Sequence, residues 1–260
     1  MTATEPLRLT APLAGGTTIP LIGFGTWQLR GDDARQAVTW ALSAGYRHLD
    51  TATMYRNEAE VGRAVRDSDV GVDEVFLTTK LPDDRADRAR ATLEASLTAL
   101  GTDVVDLWLI HWPPDHGAGV STWRDLVAAR AEGLARAVGV SNYSLDQIDE
   151  LTRATGETPE VNQVKWGPTR FDRATYDGHR ERGVVLEGYS PFRSGRLTDP
   201  VLTRIAERHG TGTAQVVVRW HLQHGVVVIP KSARRERIVD NVDVGGFALS
   251  EEEMAAIDAL

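Results

Sequence analysis

Residues 75–111 read VFLTTK LPDDRADRAR ATLEASLTAL GTDVVDLWLI H. Val75 to Lys80 is a short run of apolar and β-branched residues, the composition of a strand. A helix is expected from about Asp87 to Leu100, and Gly101 stops it as a left-handed cap would. Asp106 to His111 is a second short apolar run. A strand, a helix and a strand in so few residues make a crossover unit, the element of parallel sheets. Each strand ends in a residue that can do chemistry, Lys80 in the first and His111 in the second.

The same alternation extends in both directions. Upstream, His48 to Asp50 reads as a strand followed by a helix from Asn57 to Arg66, and Leu21-Ile22-Gly23 as a strand followed by a helix from Asp33 to Ala44. Before these, Leu7-Arg8-Leu9 and Thr17-Thr18-Ile19 flank Gly15-Gly16, a turn signal, and predict a hairpin. Downstream, a helix from about Thr122 to Ala131 follows His111. Ala137 to Ser141 then leads to a helix opened by Ser144 and Gln147, a capping-box pair. Val161-Asn162-Gln163 leads to a helix over Arg173 to Arg182. Val184 to Tyr189 leads to helices starting at Asp199-Pro200 and after Thr213. Val226 to Ile229 leads to a short helix after Ser232, and a last helix opens at Ser250. Eight short strands, each followed by helix, predict a (β/α)8 barrel with an N-terminal β-hairpin. No linker, low-complexity tract or charge block divides the chain, so 1–260 is expected to be a single domain.

Composition narrows the function. The chain has 260 residues, 42% hydrophobic and 25% charged, as globular proteins do. Its net charge of −8 argues against a nucleic-acid partner, which favours a basic face. With no cysteine, disulfides, thiolate metal sites and cysteine nucleophiles are excluded. No other metal-ligand cluster stands out, and no metal is expected. The N-terminus has no basic segment followed by an apolar one, and no apolar stretch approaches the roughly 18 residues a membrane span needs. A cytoplasmic monomer, with no membrane or nucleic-acid partner, is the expectation.

Residues at the C-terminal ends of barrel strands are the default catalytic positions. Asp50, Lys80 and His111 all qualify, and Tyr55 lies in the loop that follows Asp50. Taken singly, each has a plainer reading: a helix cap, a solvated lysine, a core histidine, an exposed aromatic. An acid, a phenol, an amine and an imidazole at one barrel mouth are together the parts of a proton relay. No Gly-x-Gly-x-x-Gly follows any strand, so a Rossmann nucleotide site is unsupported. Lys231, Arg234, Arg235 and Arg237 put four cations within seven residues at the start of a short helix, a composition suited to phosphate. The plainer reading of that cluster is a solvated helix face.

Residues 45–58, GYRHLDTATMYRNE, resemble the signature of the aldo-keto reductases. Gly23-Phe24-Gly25-Thr26-Trp27, Ile110-His111-Trp112-Pro113, Gly139-Val140-Ser141-Asn142-Tyr143 and Ile229-Pro230-Lys231-Ser232 agree with it in the right order. The resemblance spans nearly the whole chain and is closest to compact bacterial members, such as diketogluconate reductases. It implies NADPH-dependent reduction of aldehydes or ketones, with a small carbonyl compound as substrate. Tyr55 would give the proton, Lys80 would lower the phenol's pKa, Asp50 would hold Lys80, and His111 would orient the carbonyl. For the cofactor it implies Gly25 and Thr26, then Ser141, Asn142 and Gln163 at the carboxamide, and Tyr189 stacked on the nicotinamide. Ser190 and Leu197 would line the pyrophosphate path. Lys231, Ser232 and Arg237 would hold the 2′-phosphate, and Asp240 and Asn241 the adenine. Trp27, Tyr55, His111 and Trp112 would form the substrate floor, with Trp166 and Phe192 as further candidates.

The chain departs from the family pattern after Gln163. The family usually continues with glutamate, an aromatic and His-Pro, where this chain has Lys165-Trp166-Gly167-Pro168. The loop after His111 is short, and the chain ends at Leu260 where larger relatives carry a tail over the substrate. An open pocket is expected. Two alternatives remain at this stage. One is a nucleotide-binding regulatory or sensory protein on the same fold. The other is a barrel hydrolase or isomerase, which no metal-ligand or nucleophile motif supports.

Overall fold

The computed structural model describes residues 9–260. Strands β1 (Thr10–Pro12) and β2 (Thr18–Pro20) pair antiparallel as a hairpin. Its first strand lies later than the expected Leu7-Arg8-Leu9, of which Leu7 and Arg8 fall outside the described residues. Gly15 at its tip donates to Glu160 Oε2 at 2.7 Å. Glu160 immediately precedes a barrel strand, so the hairpin lies at the N-terminal end of the barrel, away from the strand ends that carry the chemistry.

The eight barrel strands are β3 (Phe24–Gly25), β4 (His48–Asp50), β5 (Phe76–Leu81), β6 (Val105–Ile110), β7 (Ala135–Ser141), β8 (Val161–Lys165), β9 (Val185–Tyr189) and β10 (Val227–Ile229). They pair in parallel, each with its neighbour in the chain. A bridge between Ile22 and Val228 joins the first strand region to the last. Val228 N donates to Leu21 O at 2.8 Å and Gly23 N to Val228 O at 2.9 Å. The first strand thus falls at Phe24–Gly25, just after the expected Leu21-Ile22-Gly23, which serve as the closing seam. Gly23 has to lack a side chain there: a Cβ would lie 2.6 Å from His48 Nδ1 and 2.8 Å from Ile229 Cγ2.

Helices α1 (Gly31–Ser43), α2 (Glu58–Arg66), α3 (Ala89–Leu100), α4 (Val120–Ala131), α5 (Leu145–Thr155) and α6 (Arg173–Glu181) each follow one strand. Between β9 and β10 come α7 (Pro200–His209) and α8 (Thr213–Gln223), and after β10 come α9 (Arg235–Val242) and α10 (Glu251–Asp258). Helix α3 starts at Ala89, slightly later than expected, because Pro82 and a non-helical Arg85 hold the preceding acidic stretch in 3-10 turns. The capping boxes at Ser144 and Ser250 form, each hydroxyl accepting from the backbone three residues on. Helix α2 packs tightly against the end of α3: a Cβ on Gly62 would come 2.1 Å from Leu100 O. A second apolar cluster, with Trp166, Tyr176, Leu202, Val216, Trp220 and Ile257, packs around α6, α7, α8 and α10 outside the barrel.

Barrel interiors are usually filled by branched apolar side chains. This one is polar toward the site. His48 of β4 reaches Thr78 of β5 at 3.1 Å and lies 3.7 Å from Glu187 of β9. Strands β4 and β9 are not neighbours in the sheet, so the latter contact crosses the interior.

Candidate active site

Period-2 geometry places alternate residues of a strand on one face. On β4 this puts His48 and Asp50 inside together, and on β5 Thr78 and Lys80. Lys80 is fully buried, and its ammonium donates to Asp50 Oδ1 at 2.7 Å, Asp50 Oδ2 at 2.6 Å and Thr51 O at 2.8 Å. All three of its protons are thus used, as a buried ammonium requires. From across the interior, Gln163 Nε2 of β8 donates to Asp50 Oδ2 at 2.8 Å.

Tyr55 arrives on a 3-10 turn over Thr53–Tyr55 that follows β4. Thr53 Oγ1 ties that turn to Lys80 O at 2.9 Å. Asn57 fixes the turn's far side: it accepts from Thr51 Oγ1 at 2.7 Å and donates to Thr26 O and Leu29 O at 2.9 and 3.0 Å. One asparagine therefore aligns the loop of Tyr55 with the loop of Trp27. The Tyr55 ring lies 5.1 Å from Lys80 Nζ and meets the His111 ring edge-on, centroids 5.7 Å apart. The four expected residues Asp50, Tyr55, Lys80 and His111 therefore stand in one cluster.

The electrostatics separate their roles. Burial, the largest influence on Lys80, works against its charge, yet Asp50 with lesser help from Tyr55 and Glu187 carries its pKa above the ordinary value. It stays an ammonium. Burial raises the Tyr55 phenol, and Lys80 opposes without reversing this. The expected net lowering of the phenol by Lys80 is therefore absent here; the phenol keeps its proton and has a cation beside it. Burial first and Lys80 second lower the His111 imidazole to about 3, so it is neutral at neutral pH.

These residues open on a cavity of about 530 Å³. Its walls include Gly25, Trp27, Asp50, Tyr55, His111, Trp112, Ser141, Asn142, Gln163, Tyr189, Ser190 and Lys231 from the expected set. Trp27 and Trp112 stand at its rim, 43% and 46% exposed. Asn142 Oδ1 accepts from Tyr189 OH at 2.9 Å, which sets the Tyr189 ring against the wall. Backbone strain gathers here too. Of the five non-glycine residues with positive φ among the described residues, Gln28, Asn142 and Ser190 line the cavity and Arg56 follows Tyr55.

Several expected residues lie elsewhere. Thr26 is fully buried, and its hydroxyl donates to Asp50 O at 2.9 Å; it shapes the strand end and faces no cavity. Leu197 packs on the second apolar cluster, and Trp166 is buried within it, so neither lines the cavity. Ser232 accepts from Arg234 N at 3.0 Å, in the turn that leads into α9. Arg237, Asp240 and Asn241 follow on α9, the first two exposed and Asn241 buried. The sequence reading missed Gln28, Met54, Pro191, Arg193 and Ile229 on the walls. It also missed Glu187 beneath Asp50, although a glutamate two residues before Tyr189 in an apolar run shares its face.

The groove can accommodate a flat ring and phosphates. Gly25 leaves its wall without a side chain, the Tyr189 ring lines it, and Lys231 brings a cation with no carboxylate within 4.0 Å among the described residues. Among those residues no group of His, Asp or Glu is placed to hold a metal ion, and no helix is long and apolar enough to cross a membrane.

The Aldo/keto reductase family model matches residues 21–260. The 2,5-diketo-D-gluconic acid reductase B of Corynebacterium sp. is 45% identical over 243 residues, 92% of this chain and 88% of its own. The glyoxal reductase of Bacillus subtilis is 41% identical over 98% of this chain and 93% of its own. A crystal structure of a Gox0644 variant in complex with NADPH superposes with a TM-score of 0.92 at 38% identity, over 97% of this chain and 93% of that one.

Proposed function

The chain belongs to the aldo/keto reductase family, and from that premise we propose that it reduces aldehydes or ketones to alcohols with NADPH, using Tyr55 as the proton donor. The observation that carries this reading is the Tyr55 and His111 pair open to the cavity, backed by an ammonium buried on Asp50. NADPH, when bound, supplies a hydride to the carbonyl carbon. The chain's residues handle the oxygen. Neutral His111 offers a hydrogen bond that orients the carbonyl. Tyr55 gives its proton to that oxygen as charge develops there, and Lys80 stabilises the phenolate left behind. Asp50 keeps Lys80 charged and pointed at the ring. Ser141, Asn142 and Gln163 would hold the carboxamide, Tyr189 the nicotinamide face, and Lys231, Ser232 and Arg237 the 2′-phosphate.

Tyr55→Phe tests the assignment. General acid catalysis contributes about 10²–10⁴-fold, so NADPH consumption with a panel of small aldehydes should fall by roughly that factor. NADPH affinity, read by fluorescence titration, should stay near wild type because the phenol supplies little of it. A Phe variant retaining more than about a tenth of the turnover would remove Tyr55 from the proton transfer.

A further inference from the structure

The barrel interior beneath the cavity sets one cation among several acids. Lys80 commits all three ammonium protons, to both oxygens of Asp50 and to Thr51 O. Glu187 of β9 is fully buried in the same interior, with neither carboxyl oxygen hydrogen-bonded among the described residues. It stands in register with Val227 of β10 and with Gln163 of β8, whose amide donates to Asp50 Oδ2 at 2.8 Å. Across the interior Glu187 Oε1 lies 3.7 Å from His48 Nε2, and His48 and Asp50 share one face of β4. The titratable groups facing Glu187 are thus His48 and Asp50 of β4 and Lys80 of β5. Gln163 and Val227, which flank it, carry no charge.

This arrangement decides which state of Glu187 the site can work with. His48 is neutral, because burial, the largest influence on it, lowers it to about 4. Asp50 and Lys80 offset each other. With a proton on Glu187 these four groups carry no net charge. Without it, a second carboxylate stands near Asp50 with no donor of its own, and Lys80 is the one cation among the groups that face it. Burial first and the Asp50 charge second hold the Glu187 carboxyl well above the ordinary carboxylate range. The same ammonium lies 5.1 Å from the centroid of the Tyr55 ring, where the reading above needs it for the phenolate. Glu187 and Tyr55 therefore compete for one charge. In a buried, low-dielectric setting, an anion at Glu187 weakens the net positive field that reaches Tyr55.

We propose that Glu187 is a positioning residue that works as a neutral acid, leaving the charge of Lys80 to Tyr55, so that losing its proton slows the proton transfer. The proposal rests on the reductase reading and adds a residue that acts behind the same site. Glu187 does not line the cavity, so it touches no reacting atom and acts through Lys80. The sign follows from the charges. While Glu187 holds its proton, Lys80 stabilises the phenolate that forms as Tyr55 gives its proton to the carbonyl oxygen. As pH rises and Glu187 ionises, the phenolate becomes harder to form and reduction slows.

The test is the pH profile of single-turnover NADPH oxidation by benzaldehyde, which reads the chemical step apart from product release. Wild type, Glu187→Gln and Glu187→Ala are compared from about pH 6 to about pH 10. Both variants lack the carboxylate, so their alkaline fall should lie higher than in the wild type, by about one pH unit or more. The Ala variant keeps the test open if the amide disturbs folding, and the Gln variant if the lost volume does. A fall at the same pH in the variants overturns the proposal. So does a rate lowered by one factor at every pH, which is what a purely structural role gives. A second readout needs no substrate. The phenolate absorbance of Tyr55, isolated by difference from Tyr55→Phe, should appear at lower pH in Glu187→Gln than in the native protein. Identical titrations overturn the proposal. If wild type reduces no aldehyde, the reductase reading itself fails, and the phenolate titration alone decides whether Glu187 acts on Tyr55.

Discussion

Glu187 sits in the barrel interior, fully buried, with neither carboxyl oxygen hydrogen-bonded among the described residues. Burial first, and the Asp50 charge second, push its pKa up to about 8. Neighbouring Gln163 gives its Nε2 bond to Asp50, and His48 is itself held neutral by burial, at about 4. The folded protein therefore keeps a proton on Glu187 that the unfolded chain releases at the ordinary carboxylate pKa. Between those two values the unfolded state binds fewer protons, so stability must fall as pH rises, and the loss is complete above about 8. The slope from this one group is on the order of 1.4 kcal/mol per pH unit. Glu187→Gln carries no titrating proton and should lack that contribution. Denaturant midpoints measured from about pH 5 to about pH 8 should fall less steeply in the variant than in the wild type. Parallel curves would mean that Glu187 ionises in the fold as freely as in the unfolded chain. Asp50, Lys80 and His111 were legible in the sequence because strand-end position and chemistry coincide in them. Glu187 was not, because a single acid inside an apolar run reads as one more buried strand residue until the strand's neighbours are known. Thr26 is a different case. Its neighbours in sequence face the cavity, but its own hydroxyl is committed to Asp50 O.

At the scale of elements, helices with side-chain caps were the most legible, since Ser144 and Ser250 mark their own helix starts locally. The β3 strand and the hairpin were displaced from their expected positions because pairing, a long-range property, sets strand limits. The turn before α9 is the element to which the proposed reading assigns cofactor choice. Ser232 organises it by accepting from Arg234 N, and the exposed Arg237 projects from the helix that follows. On the proposed reading, a guanidinium at this place would recognise a phosphate that NADH lacks. Arg237→Ala should weaken NADPH binding by roughly tenfold, the lower end of what a charge-assisted contact contributes, and leave NADH binding nearly as it was. Arg234 and Arg235 can take over part of the contact, which argues for that lower end. Paired titrations with the two nucleotides check this. Equal losses for both would assign Arg237 to the fold or to the adenosine.

Across the whole molecule, the barrel closure from Ile22 to Val228 brings the first and last strands side by side. Lys231 thereby stands on the same mouth as Trp27 and Arg193. A chain of net charge −8 thus presents a positive opening, and the two charges act on an anionic nucleotide at different ranges. The overall charge repels at long distance, whereas the mouth attracts close in, where low-dielectric walls focus its field. Salt decides between them. Raising ionic strength from about 0.01 M to about 0.3 M shortens the screening length from roughly 30 Å to well under 10 Å. If the net charge governed the encounter, that change would speed NADPH association by removing repulsion. If the mouth governs it, association slows, because the steering field is screened as well. The clustering of Lys165, Arg193 and Lys231 on one cavity predicts slowing, by several-fold over that range. Stopped-flow fluorescence of NADPH binding at increasing KCl gives the sign directly. A rate that rose with salt would show that the basic wall holds the ligand once bound but does nothing to draw it in.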